Sequence, residues 1–453
     1  MQGAVCWTAT PACPIIPVVP TDADRDHDMT PRPGGPAGDS PETRSPSRSF
    51  WTRSFFLVWQ GQLVSSLGDV VYQLALGFWV LKVTGSTALM GTLMAASTLP
   101  RILVAPFAGV VADRADRKWL MTWMELIRGA FVTLIGIAAF GGWLQVWMVF
   151  VAGVVIGLGG AFFGPALGAC VPDLVPSEKL VQANSAMQLV GTGSMIFGSV
   201  LGGFLYQAMG EARLFLFNGL SYLFSSLMLV FARIPRVIRT GAPQHFIADL
   251  RDGFRLAWRM RGLRILVLVG AVLNFFAVIG LVLFLPLFER IEGLGPARYG
   301  VLMGAVGIGF FAGFAAAAIV PVPPARRFRI FYACSLIVSA TMIAIPLVPF
   351  PVMVVLSVLT GIANAVMNGF IQSLVQMAVP ADMRGKVFGL LGSLSTGLTP
   401  LAMALGGVLA EFIPIRLLIV SCFVVTLLIF LPLALSADFR KFINLDPAAQ
   451  PPG

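Results

Sequence analysis

The chain has 453 residues, 57% of them hydrophobic and 11% charged, with a mean hydropathy of +0.87 and a formal net charge of +10. A soluble domain carries about 25% charged residues because its surface faces water on every side, so this composition excludes an ordinary soluble protein and predicts a surface that faces lipid. Five dispersed cysteines and two histidines, His27 and His245 in polar stretches, argue against a disulfide framework, a zinc site or His-based catalysis, and no G-x-x-x-x-G-K-[ST] loop is present to drive an ATP pump.

Residues 1–50 are rich in Pro, Asp, Ser and Thr and read as a disordered cytoplasmic tail, in which Met29 offers a second start that leaves the translation of residues 1–28 open. From Phe55 onward apolar runs of about 20 to 28 residues alternate with short polar breaks, the length that crosses a ~30 Å hydrocarbon core. The predicted spans are 55–82, 86–110, 119–141, 143–170, 185–209, 213–233, 265–288, 297–320, 328–349, 351–377, 386–410 and 415–436. These twelve fall into an N-terminal six-helix bundle over 51–233, a linker over 234–264, a C-terminal six-helix bundle over 265–437 and a cytoplasmic tail over 438–453.

The charges set the orientation. Of 31 Lys and Arg, 24 fall on the side of the termini and the central linker, five (Lys82, Arg213, Arg290, Arg298 and Arg416) on the other, and Arg101 and Arg128 inside spans. By the positive-inside rule both termini are expected in the cytoplasm of a cell that carries this multi-pass protein in its plasma or inner membrane. The net +10 is then a topology signal, and no nucleic-acid partner is expected. Within the linker, residues 246–259 place Ile247, Leu250, Phe254, Ala257 and Trp258 at helical spacing, with Arg251, Arg255 and Arg259 on another face, as expected of an amphipathic helix lying in the headgroup region.

The two halves repeat. At an offset of 204 residues, Gly157 pairs with Gly361, Val175-Pro176 with Val379-Pro380, Glu178 with Asp382, Thr192-Gly193 with Thr396-Gly397, and Gly202-Gly203 with Gly406-Gly407. Shared apolar composition yields coincidences of Leu and Val, not aligned Pro and paired Gly, so duplication of a six-span unit is the simplest account.

Between spans 2 and 3 the chain reads Gly109-Val110-Val111-Ala112-Asp113-Arg114-Ala115-Asp116-Arg117-Lys118. Here it resembles the major facilitator superfamily, whose loop at this place carries G-x-x-x-D-R-x-G-R-K; Asp116 stands where that family usually has Gly. Thr84-Gly85-Ser86, Leu99-Pro100-Arg101 and the Glu125/Arg128 pair are similar to the bacterial efflux branch that includes macrolide and enterobactin exporters. The resemblance implies an all-α integral membrane protein with twelve transmembrane helices in two six-helix pseudo-repeats. It also implies a cytoplasmic gate built on Gly109, Asp113, Arg114, Arg117 and Lys118. Gly109 would let span 2 approach a neighbour, and Asp113 would meet the start of span 11 near Gly385-Lys386. Plain positive-inside anchoring is the alternative for Arg114, Arg117 and Lys118. The antiporter motif G-P-x-x-G-G is partly present as Gly198-Ser199-Val200-Leu201-Gly202-Gly203, and the glycines of this run, with Gly406 and Gly407, are expected at close helix contacts.

Ionisable residues inside a span are costly unless paired or wet, so each is a functional candidate. Asp69 lies about 14 residues into span 1 and shares a helical face with Gln62, Ser66 and Gln73. It reads as a proton-coupling or cation-recognising carboxylate, or as a structural hydrogen-bonded acid. Glu125 and Arg128 lie three apart on span 3, and Arg101 sits at a similar depth on span 2, so the three are expected to form a buried cluster. The second half has no deep acid or base; Asn364, Asn368 and Gln372 on span 10 and Asn274 on span 7 read as substrate-orienting groups or as interhelical hydrogen bonds.

The sequence thus predicts a transporter and not an enzyme: a monomeric secondary active exporter of small amphipathic molecules of drug or siderophore type, without cofactor or metal, driven by protons or another coupling ion and working by alternating access. A lysolipid carrier and a non-transporting membrane sensor are the competing readings.

Overall fold

The computed structural model describes residues 50–235, 251, 254–256, 258–320, 322–379, 383, 387, 390, 392 and 397–444, apart from the side chains of residues 106, 110 and 113. The expected tail over 1–49 lies outside the described residues, as does most of the amphipathic linker helix. Of that helix, residues 254–256, 258 and 259 are helical, with the rings of Phe254 and Trp258 stacked 4.8 Å apart.

The helices run in chain order α1 (Arg53–Thr84), α2 (Thr87–Arg114), α3 (Arg117–Phe140), α4 (Val146–Leu174), α5 (Leu180–Met209), α6 (Glu211–Phe231) and α7 (Arg261–Val282). They continue as α8 (Phe284–Arg290), α9 (Gly295–Ile319), α10 (Pro324–Ala344), α11 (Phe350–Ala378), α12 (Thr399–Phe412), α13 (Ile415–Leu433) and α14 (Ala437–Ile443). Among the described residues, eleven helical segments are long and apolar enough to cross a bilayer, and α12 is a shorter apolar helix. A bilayer accepts helices because each satisfies its own backbone hydrogen bonds. Large side chains such as Phe107, Leu134, Phe231 and Val355 are exposed around the outside, as a lipid-facing surface requires.

Local chemistry sets the helix ends. The Thr52 hydroxyl accepts from Phe55 N at 3.1 Å to open α1, and Gly85 closes it with φ 67°, a left-handed conformation that glycine adopts at no steric cost. Ser86 caps α2 through Leu89 N at 3.1 Å. Asp116, the departure from the superfamily motif, is the N-cap of α3 and accepts from Lys118 N at 3.1 Å.

The same five pairings build each half. In the first, α1 packs on α5 and α6, α3 on α4 and α6, and α2 on α4; in the second, α7 packs on α12 and α13, α10 on α11 and α13, and α9 on α11. The halves meet along α2 with α12 and α5 with α9. Glycines make these crossings close. A methyl on Gly91 would fall 3.0 Å from Gly407 Cα and nearer still to Met403 O, and one on Gly300 would fall 3.2 Å from Gly203 Cα and nearer to Ser199 O.

Two elements differ from the sequence expectation. The seventh span is broken at Leu283, because Pro286 has no N–H to offer the Val282 carbonyl, and it continues as the short helix α8. The segment expected as the start of a C-terminal tail forms α14, with Phe439, Phe442 and Ile443 buried and Phe442 seated against Gly262 of α7.

Candidate functional site

The deepest polar group of the first half sits where α1, α3 and α6 converge beside α4. Glycines set its dimensions: a methyl on Gly68 would lie 2.6 Å from Asn218 Oδ1, and one on Gly129 would lie 2.8 Å from Leu223 Cδ2. With α6 held this close to both α1 and α3, the Tyr222 hydroxyl donates to Asp69 Oδ1. On α3, Arg128 Nη2 donates to Glu125 Oε1 at 2.6 Å; Glu125 is fully buried and Arg128 is 6% exposed. The Arg128 guanidinium lies 4.6 Å from the Tyr222 ring centre and 5.1 Å from that of Phe163, and its stem rests on Gly159, where a methyl would meet Cδ at 2.8 Å. Arg128, Asn218 and, more weakly, Arg101 are within electrostatic reach of Asp69, and Gln62 and Ser65 lie beside Glu125. Glu125 Oε2 has no hydrogen-bond partner among the described residues.

The groups in direct contact are thus two carboxylates and one guanidinium, with the exposed Arg101 as a second, more distant cation. Such a group carries a net negative charge in a low-dielectric interior unless one proton is bound, and it is neutral with that proton.

The sequence-based cluster is partly reassembled. Glu125 and Arg128 pair, but Arg101 is exposed and makes no hydrogen bond or ion pair with them among the described residues; Asp69 takes its place. Similar depth on neighbouring spans did not fix which faces meet. Ser66 is half-buried and Gln73 exposed, so the expected stripe on α1 divides between the cluster and its surroundings. Sequence reasoning missed Tyr222 and Asn218. Their signal was present: Asn218, Ser221, Tyr222 and Ser225 follow helical spacing on α6, and Tyr222 is one of only five tyrosines.

At the end of the bundle that bears the termini, the motif residues act within the first half. Arg117 is 5% exposed and bonds Asp173 Oδ2 at 2.7 Å and Ala169 O at 3.1 Å on α4. Lys118 Nζ bonds Val230 O at 2.8 Å near the C-terminus of α6, where a cation meets the negative end of the helix dipole. Arg114 is exposed. Among the described residues, a methyl on Gly109 would meet nothing within 4 Å. The Asp113 side chain and residues 384–386 lie outside the described residues.

The five packing glycines lie at crossings. A methyl on Gly198 would be 2.9 Å from Val70 Cβ, on Gly202 3.2 Å from Val71 Cα, and on Gly406 3.2 Å from Val282 Cγ1, while Gly203 and Gly407 face the opposite half.

The second half has a cavity of about 520 Å³ where the first has charges. Asn274 of α7 and Asn364, Asn368 and Gln372 of α11 all line it, with Phe331, Phe423, Phe430 and Phe439 among its apolar walls. Asn368 Nδ2 donates to Asn364 Oδ1 at 2.5 Å, so this pair bonds along its own helix and not between helices.

The two ends of the molecule differ. At the end away from the termini, Glu411 Oε1 accepts from Ser86 Oγ at 2.8 Å, Ala88 N at 3.0 Å and Thr87 Oγ1 at 3.1 Å, sealing α12 to the start of α2, and Arg290 Nη2 reaches Gly85 O at 3.2 Å. Towards the terminal end, α5 and α9 part around a cleft of about 620 Å³, lined by Asn184, Gln188 and Thr192 on one side and Phe311 and Phe314 on the other.

Known proteins share this architecture. Residues 44–451 match the family model described as transmembrane secretion effector. Macrolide efflux protein A of Streptococcus pyogenes is 26% identical over 382 residues, covering 81% of this chain and 91% of that protein. The multidrug efflux pump Tap of Mycobacterium tuberculosis is 26% identical over 368 residues, covering 79% and 87%. Among solved structures, a bacterial homologue of the iron transporter ferroportin in an inward-facing state superposes with TM-score 0.64 at 16% identity, over 83% of this chain and 98% of that one. A bacterial homologue of the human lysosomal transporter Spinster superposes with TM-score 0.62 at 16% identity, over 88% and 98%. The chain belongs to the transmembrane secretion effector family, within the efflux branch of the major facilitator superfamily of membrane transporters.

Proposed function

We propose that this transporter is a monomeric, proton-driven exporter of small amphipathic molecules, working by alternating access, with Asp69 as the proton-coupling group. The observation that carries the reading is the buried set of Asp69, Glu125 and Arg128, which becomes neutral by binding a single proton. Asp69 is half-buried where Glu125 is fully buried, which favours Asp69 over Glu125 as the group that exchanges the proton. The relatives' names as macrolide and multidrug efflux pumps support export of amphipathic compounds.

If the cation-rich side is cytoplasmic, as the positive-inside rule requires, the conformation seen here is closed to the outside by α2–α12 and α5–α9 and open to the cytoplasm along the cleft between α5 and α9. Proton entry from the outside then requires the Glu411 seal to part, and cargo entry from the inside requires it to hold. Arg117 and Lys118 brace α3 against α4 and α6, which lets the first half move as a body.

The test is Asp69→Asn in proteoliposomes with an imposed pH gradient and ethidium as cargo. The variant is expected to lose gradient-driven accumulation while keeping ethidium exchange down its own gradient. Accumulation at the wild-type rate would remove Asp69 from the coupling role.

A further inference from the structure

We infer that the cavity inside the C-terminal half is a binding site for an uncharged hydrophobic molecule carrying amide, ester or carbonyl groups. Its use in transport, as a site for uncharged cargo separate from the path taken by ethidium, rests on the transport reading above; its existence as a binding site does not. The volume of about 520 Å³ falls in the range that encloses a drug-sized ligand. Every described lining residue belongs to the second half, from α7, α10, α11, α13 and α14 together with Gly392.

The lining chemistry chooses the ligand. No ionisable side chain is among the described lining residues, so a charged molecule would find no counter-charge from them, at a cost of several kcal/mol. Primary amides, by contrast, offer donors and acceptors together. Asn368 and Asn364 satisfy each other in part, and Ser339 and Thr426 share a 3.3 Å hydrogen bond across the wall. Asn274 makes no hydrogen bond among the described residues and stands half-buried on the cavity wall, where its amide is free for a ligand. Aromatic rings supply the rest of the surface, and a carbonyl-bearing ring system can stack on them while it bonds the amides.

Gly270 makes the inference testable. It lines the cavity, and a methyl built on it meets no atom within 4 Å, so a larger side chain there enters empty space and not packed neighbours. The experiment uses the full chain in nanodiscs with Nile red, an uncharged carbonyl-bearing dye, and ethidium, a permanent cation. Saturable Nile red binding is expected, weakened about tenfold or more by Gly270→Leu. Gly160→Leu on α4, also open at 4 Å but remote from the cavity, is expected to bind as the wild type does, and ethidium is expected not to compete. Asn274→Leu, which removes the amide without blocking the space as a branched side chain on glycine does, gives a second reading if Gly270→Leu unfolds at lower temperature. Nile red binding unchanged by both variants, or displaced by ethidium at equal concentration, overturns the inference. Asp69→Asn separates this outcome from failure of the coupling role: if it accumulates ethidium normally while Gly270→Leu loses Nile red, coupling fails and the binding site stands.

Discussion

In the first half, the space among α1, α3, α4 and α6 is filled by Asp69, Glu125, Arg128 and Tyr222 in mutual contact. The matching space among α7, α10, α11 and α13 in the second half holds amides, hydroxyl pairs, aromatic rings and a cavity. The five helix pairings are the same in both. What differs is the solvent each interior offers: one holds charges that must balance, the other neutral groups that need not. The comparison teaches that a duplicated scaffold can keep its backbone crossings through small residues while its two interiors diverge, one filled by charged groups and one walled by neutral ones.

The contrast can be broken most severely at Arg128. Arg128→Met leaves Glu125 buried without its partner and is expected to destabilise the protein by about 3–5 kcal/mol in graded-detergent unfolding. The double variant with Glu125→Gln should recover most of that loss; a double variant as unstable as the single would mean that packing, not charge, holds this interior. In the second half the equivalent injury should be slight. Thr341 Oγ1 and Thr360 Oγ1 lie 2.7 Å apart between α10 and α11, and Thr360→Val is expected to cost ~0.6 kcal/mol, since Thr341 keeps its bond to Ile337 O. A loss near that of Arg128→Met would erase the distinction between the halves. The smallest effect is expected at the rim, where the second half keeps its acids. Glu411→Gln removes the charge at the N-terminus of α2, worth about 0.5 kcal/mol, and should lower the ratio of sealed to parted molecules roughly twofold in spin-label distance measurements, with gradient coupling intact. Loss of coupling in that variant would place part of the ion machinery in the second half.

Much of this was legible in the sequence because a membrane imposes few solutions. Apolar runs, the Asp113-Arg114 motif and the repeat at Gly202-Gly203 and Gly406-Gly407 predicted the helices and their class. Spacing along one helix also carried through: Asn364, Asn368 and Gln372 line one cavity, as residues four apart on one face should. Relations between helices did not carry through so well. Arg101 and Glu125 share a depth but not a face, whereas Asp69 and Tyr222, 153 residues apart, touch because Gly68 and Ser221 bring α1 and α6 together. The cavity itself had no sequence signal, since a void depends on side chains that fail to meet. The break at Leu283 was legible in Pro286 and was overridden by the apolar run around it, and α14 was hidden by its shortness.

The glycine crossings at Gly91–Gly407 and Gly203–Gly300 bring backbone against backbone, whereas farther along the α5–α9 seam Ile196 and Val200 pack against Gly307 and Gly304. A crossing of the first kind has little to disentangle: parting it requires no concerted change of rotamers, and remaking it requires no search for a register among meshed side chains. If the halves part along this seam, as proposed above, these two crossings would act as smooth bearings, with the polar contacts of Glu411 and Arg290 as latches at the edge.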